Sequence, residues 1–133
     1  LEVINDSKAT NFDSSFSGIE SLDNGLLIII GGRIKKGDSK LWSNIILEKC
    51  KGVFLFGESS KELKRILLKA GFVEDIFINY ELKDLIPKAM KYLKKKKLKI
   101  LLFSPSCSSF DQFKDYEERG NYFKFLVKKY LPI

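Results

Sequence analysis

Short apolar runs alternate with longer amphipathic stretches from one end of the chain to the other, and this alternation restricts the fold more than any other feature. Residues 1–5, 25–31, 52–56, 75–79 and 98–104 form the strand candidates. They are short and mostly apolar throughout, the pattern of strands covered on both faces rather than on one. The stretches between them carry helical periodicity. In 59–70, Ser59 and Glu62 have the spacing of a capping box, Leu63, Ile66, Leu67 and Ala70 make one apolar stripe, and Gly71 supplies a stop. From Asp84, the positions Leu85, Ile86, Ala89 and Leu93 repeat the stripe, with Pro87 tolerable in the first turn. Residues 116–130 place Phe123, Leu126, Val127 and Tyr130 on one side, and 40–49 carry Leu41, Ile45 and Glu48 at helical spacing. Residues 11–22 form a weaker helix, because serines lower the propensity.

The sum is an α/β chain: a Rossmann-like, three-layer domain with a mainly parallel sheet of about five to six strands and helices on both faces. No repeat, linker or boundary divides residues 1–133, so one domain is expected. No apolar run approaches the ~18–20 residues that span a bilayer, and no signal peptide is legible, so a soluble chain without a membrane partner is expected. The chain starts at Leu1, inside a strand-like segment and without an initiator Met, which suggests a piece of a longer polypeptide.

Chemistry is limited by what is missing. There is no histidine, which excludes Ser-His-Asp and Cys-His catalysis and His-based metal sites. Two cysteines, Cys50 and Cys107, make no disulfide framework and fit a reducing compartment. The net charge of +7 raises nucleic-acid binding as an alternative. The basic residues are nearly all Lys, however, and the densest run, Lys94 to Lys97, sits where a helix C-terminus favours cations. Three Arg and no nucleic-acid motif argue against that alternative, while a mild positive field also helps to capture acidic small molecules.

In open α/β sheets, ligands bind beyond the carboxyl ends of the strands. The loop after the first strand, Asn5-Asp6-Ser7-Lys8-Ala9-Thr10-Asn11, is a polar turn in which Thr10 or Asn11 caps the next helix. Alternatively, Asp6 accepts hydrogen bonds from a sugar diol while Lys8 and Thr10 face an anion. The loop after the second strand, 31–38, has paired glycines that allow close backbone approach and a Lys35 that could reach a carboxylate. It matches neither the dinucleotide fingerprint nor the phosphate loop. After the fifth strand, 104–120 offers small hydroxyl residues and open N–H groups, a natural seat for a carboxylate. Cys107, without a base, reads as a small buried residue, Phe110 and Phe113 as core aromatics, and Glu117, Glu118 and Arg119 as solvated helix pairs.

The 5–11 and 104–120 segments, with Gly31-Gly32 and Lys35 between them, resemble the signature segments of the D-glutamate-adding branch of the Mur ligase family, in order and separation. Ser7-Lys8-Ala9-Thr10 stands where other branches, and folylpolyglutamate synthases, usually have a Tyr-Ala-His type sequence. The resemblance covers essentially the whole chain. It implies the C-terminal, amino-acid-binding domain of a cytoplasmic peptidoglycan-synthesising ligase, acting with N-terminal UDP-binding and central ATPase domains. Such a ligase uses ATP and Mg²⁺, bound mainly by the central domain, to form an acyl phosphate on UDP-N-acetylmuramoyl-L-alanine. The amine of D-glutamate then attacks to give a tetrahedral intermediate.

By position, the resemblance implies that Asp6 holds the ribose of ATP and Lys8 lies beside the reaction centre. Thr10, Lys35, Ser109, the Phe110 backbone N–H and Tyr116 would hold the two carboxylates of D-glutamate. It further implies a monomer that is inactive as this domain alone. Lys36 departs from a frequent Gly, Ser39 from an aromatic and Tyr116 from a Phe, which leaves the shape of the glutamate-side loop open. A stand-alone nucleotide- or nucleic-acid-binding module, and a related ligase for another amino acid, are the alternatives.

Overall fold

The computed structural model describes residues 1–131; the last two positions of the expected 1–133 domain lie outside these. Among the described residues, five strands alternate with five helices: β1 (Glu2–Asn5), α1 (Phe12–Glu20), β2 (Leu26–Gly31), α2 (Lys40–Lys49), β3 (Cys50–Phe56), α3 (Ser60–Ala70), β4 (Asp75–Ile78), α4 (Leu82–Lys96), β5 (Ile100–Ser106) and α5 (Tyr116–Lys128). The strands form a single sheet of order β1-β5-β2-β3-β4, and every pairing is parallel. The α/β expectation holds, with five strands.

The pleat divides the core in two. Leu26, Ile28, Ile30, Val53, Leu55 and Leu102 point to one face, where α1, α2 and α3 cover them with Ile19, Trp42, Ile46, Leu63 and Leu67. Leu27, Ile29, Phe54, Phe56, Leu101 and Phe103 point to the other, under α4 and α5, which supply Leu85, Ile86, Ala89, Phe123 and Val127. Because β2 lies in the middle of the sheet, all six of its residues are buried, and its unbroken apolar run follows from covering both faces. The edge strands β1 and β4 depart from that pattern: neither has a fully buried residue, since each is paired on one side only.

Local expectations fail where tertiary contacts redirect a group. Ser59 precedes α3 but makes no capping bond with its side chain; the hydroxyl accepts instead from the Ile34 N–H at 3.0 Å. Gly71 does end α3. Helix α4 begins at Leu82, two residues before the expected start, because that side chain is drawn into the core. Pro87 therefore lies in the second turn, where it denies the carbonyl of the exposed Lys83 its helical partner. Strand β5 begins two residues later than its apolar run and continues through Ser106, and α5 stops at Lys128, before Tyr130.

Candidate functional site

The strand order β1-β5-β2 sets the loops after these three strands side by side at the carboxyl edge of the sheet. The first is tied to β5 by its backbone. The Asp6 N–H donates to the Phe103 carbonyl (2.7 Å), the Ala9 N–H closes a turn onto the Asp6 carbonyl (2.9 Å), and the Ser106 N–H donates to the Ala9 carbonyl (2.9 Å). The second loop meets the third in an isolated antiparallel bridge, in which Arg33 and Ser108 exchange N–H to carbonyl bonds of 3.0 and 2.9 Å. That bridge depends on Gly32, whose φ is 127°; a Cβ there would stand 2.2 Å from the Ser108 carbonyl oxygen.

Beneath the loops, a buried polar network fixes the end of β5. The Trp42 indole donates to Ser106 Oγ (2.9 Å), Ser106 donates to Ser15 (2.9 Å), and the Ser15 and Ser104 hydroxyls are 2.6 Å apart. Ser106 has a φ of 64°, a left-handed conformation that a non-glycine residue keeps only when its surroundings over-determine it. Its N–H, held by Ala9, and its hydroxyl, held by Trp42, do so. The small hydroxyl residues of this segment therefore build the site from below.

Asp6 is partly buried, and its Oδ2 lies against α1, 2.8 Å from where a Cβ on Gly18 would stand. Burial raises its carboxyl above the usual range, and the Lys8 charge and a hydrogen bond with Ser104 oppose that rise. Asn11 caps α1, its side chain accepting from the Ser14 N–H at 2.8 Å. Thr10 is thereby free for another partner: Lys35 Nζ donates to its Oγ1 at 3.2 Å. Lys35, Lys36 and Ser39 line an open cavity of about 510 Å³ with Phe12, Arg33 and Glu58. Arg33 and Glu58 form a two-pronged ion pair at its mouth (2.9 and 3.3 Å). Lys8 and Tyr116 face a separate groove of about 280 Å³.

Two aromatic and charged assignments need correction. Phe110 is no core aromatic but 65% exposed, because the Ser109 carbonyl accepts from both Gln112 and Phe113 and leaves Phe110 at the apex of the turn. Phe113 does pack against the core. Arg119 belongs to no solvated pair: it is fully buried, donating from Nε to Ser7 Oγ (3.1 Å), from Nη2 to the Ser7 carbonyl (2.7 Å) and from Nη1 to the Cys107 carbonyl (2.9 Å). Burial pulls its guanidinium pKa down to about 10. Sequence reasoning missed it, although a signal was present: Arg119 precedes Phe123, Leu126 and Val127 by four, seven and eight positions, on the same helical stripe. Glu118 serves the start of α5, where the Asp115 carboxylate accepts from its N–H (2.8 Å) and its own carboxylate accepts from the Lys114 N–H (3.2 Å). The Cys107 thiol is buried and pushed up to about 12, so it stays protonated and inert at neutral pH.

The structure thus joins Thr10 to Lys35 directly and sets Ser109 next to their loop through the Arg33–Ser108 bridge. Lys8 and Tyr116 share the neighbouring groove, and Asp6 lies against Gly18 in the last turn of α1. Fold and site together define a Rossmann-like α/β domain with a lysine- and hydroxyl-bearing face at the carboxyl edge of its sheet. No family model matches the chain. A UDP-N-acetylmuramoylalanine–D-glutamate ligase of Prochlorococcus marinus (strain MIT 9312) is 54% identical over 133 residues, all of this chain and 28% of the relative. Ligases of the same name from Thermosynechococcus vestitus (39% over 130 residues, 95% of this chain and 28% of the relative) and Gloeobacter violaceus (36% over 127 residues, 96% and 29%) are similar throughout as well. The chain belongs to this ligase family, of which it spans a little over a quarter of the length.

Proposed function

We propose that this chain is the C-terminal, amino-acid-binding domain of an ATP-dependent ligase that adds D-glutamate to UDP-N-acetylmuramoyl-L-alanine. The observation that carries the reading is the 3.2 Å contact between Lys35 and Thr10, which joins the loops after β1 and β2 beside the buried hydroxyl segment of β5. A dicarboxylate needs two separate seats to fix where its amine points. Lys35 and Thr10 form one, a cation backed by a hydroxyl. The resemblance assigns the other to Ser109, the Phe110 N–H and Tyr116: Ser109 is buried, two residues after the Cys107 carbonyl that Arg119 holds, and Tyr116 lines the groove it shares with Lys8. Holding both carboxylates leaves the amine as the free end of the ligand, directed toward the electrophile.

ATP supplies the phosphoryl group that activates the alanyl carboxylate. This chain's contribution to it is Asp6, a half-buried carboxylate suited to accept from a ribose diol, with Lys8 beside it as a cation for the charged groups of the reaction centre. The resemblance assigns Mg²⁺ to the central ATPase domain of such a ligase. No described helix is long and apolar enough to cross a membrane. The domain acts as a monomer and lacks catalytic activity by itself.

The test has two parts. In the full-length protein, phosphate release should depend on D-glutamate and not on other amino acids, which separates this reading from a related ligase. With the 133-residue chain, a D-glutamate titration followed by NMR should move the Thr10, Lys35 and Ser109 signals; shifts confined elsewhere refute the assignment.

A further inference from the structure

We propose that Arg119 is a positioning residue that sets the spacing of the two carboxylate seats, an inference that rests on the ligand reading above. Its guanidinium reaches both loops at once. Two of its bonds hold Ser7, at the head of the segment that carries Lys8 and Thr10, and the third holds the Cys107 carbonyl, two residues before Ser109. Ser7 is further locked by its hydroxyl to the Tyr116 carbonyl (2.7 Å) and by its N–H to Asn5 Oδ1, and Asn5 donates to the Gly120 carbonyl. The first loop, the fifth-strand loop and the first turn of α5 therefore share one buried fork.

The charge argues that this fork is more than packing. A buried guanidinium loses its hydration, and the usual compensation is a carboxylate. Among the described residues no ion pair involves Arg119; all three of its acceptors are neutral oxygens. A methionine would fill much of the same place without the desolvation penalty. What an apolar side chain could not do is fix two backbone carbonyls and a hydroxyl from different loops in one plane. The planar fork sets their separation, and with it the distance between the lysine seat and the Ser109 seat.

The experiment compares the 133-residue chain with its Arg119→Met, Arg119→Lys and Ser7→Ala variants, and with Leu67→Ala, a buried change in α3 away from the loops. Amide hydrogen exchange reads the order of the Ala9 and Ser108 N–H groups, and an NMR titration reads D-glutamate affinity. Arg119→Met should lose protection at both amides and bind D-glutamate more weakly by about tenfold or more. Arg119→Lys, which keeps the charge and one or two of the bonds, should recover part of both. Leu67→Ala should lower stability while leaving affinity within about twofold of the parent. Affinity retained in Arg119→Met, or lost equally in Leu67→Ala, overturns the inference. Should Arg119→Met not fold, Ser7→Ala decides: it removes one acceptor of the fork, and unchanged loop protection and affinity would overturn the inference. If the parent chain itself shows no response to D-glutamate, the ligand reading fails, and loop protection in Arg119→Met judges the positioning role alone.

Discussion

Replacing Gly32 by alanine tests whether the second and third loops are pressed together as the structure shows. At Gly32 the added methyl meets the Ser108 carbonyl oxygen at 2.2 Å, a backbone atom that cannot swing aside, and φ is 127°. The conformation costs a non-glycine residue about 1–3 kcal/mol. Opening the bridge to relieve the clash gives up the two Arg33–Ser108 hydrogen bonds, about 1 kcal/mol each. The expected loss is therefore about 3–5 kcal/mol. Gly25 provides the internal control: its φ is 89°, but nothing stands within 4 Å of an added Cβ. Gly25→Ala should lose only the conformational part, about 1–2 kcal/mol. Urea unfolding with an unchanged m-value, roughly 1–3 kcal/mol per molar, turns these figures into midpoint shifts of about 2 M and about 0.5–1 M. Equal shifts for the two variants would refute the claim that loop contact, rather than backbone conformation, sets the cost at Gly32.

Trp42→Phe removes the indole donor to Ser106 and part of a buried ring, and should cost about 2 kcal/mol in thermal unfolding. Lys35→Ala should abolish the D-glutamate shift at Thr10 while moving the melting temperature little, because Lys35 is exposed. Neither cysteine should react with a thiol-specific disulfide reagent at pH 8 until the chain unfolds, since both are buried and burial raises both thiols. Asp6→Asn should melt above the parent at pH 7. The folded-state carboxyl of Asp6 is raised, so its stabilising contribution is present below the unfolded pKa and is lost as pH rises through the folded one. The gap between variant and parent should therefore close as pH falls through the ordinary carboxylate range, and a gap that widens instead would contradict the burial assigned to Asp6.

Most of the fold was legible because the sheet is central and covered. Each interior strand shows a continuous apolar run, and α3 and α5 carry clear stripes; in α2, by contrast, Leu41 and Glu48 are exposed and the buried face is Trp42, Ser43, Ile45 and Ile46. The errors fall where a short-range signal competes with a distant partner. Ser59 and Glu62 have capping spacing, yet the Ser59 hydroxyl is taken by Ile34; reciprocal capping bonds form instead at the start of α5, where Asp115 accepts from the Glu118 N–H and Glu118, expected only in a solvated pair, accepts from the Lys114 N–H. At the site, local chemistry pointed to three loops that the strand order sets side by side, but not to their connections. No spacing rule predicts that Lys35 reaches Thr10 or that Arg33 bridges to Ser108, because those contacts depend on β5 lying between β1 and β2.

That strand order also explains why the two end segments are so long. Ligand chemistry alone would need only a few residues in each. Ser7 and Arg119 are buried and bond to each other, buried Gly120 leaves no room, since an added Cβ would stand 3.0 Å from Ser7 Cβ, and the exposed Asn5 donates to the Gly120 carbonyl. Lys8 and Tyr116, interleaved with them, face outward. The final strand enters between β1 and β2 only after the rest of the sheet has been traced, so its loop must be fastened to a segment almost a full chain length away. The inward residues supply that fastening, and the outward ones inherit their spacing from it. A substitution on the inward side should thus change ligand affinity through the distance between seats, while one on the outward side should change it without loosening the loops. Amide exchange and affinity, measured on the same variants, separate the two sets.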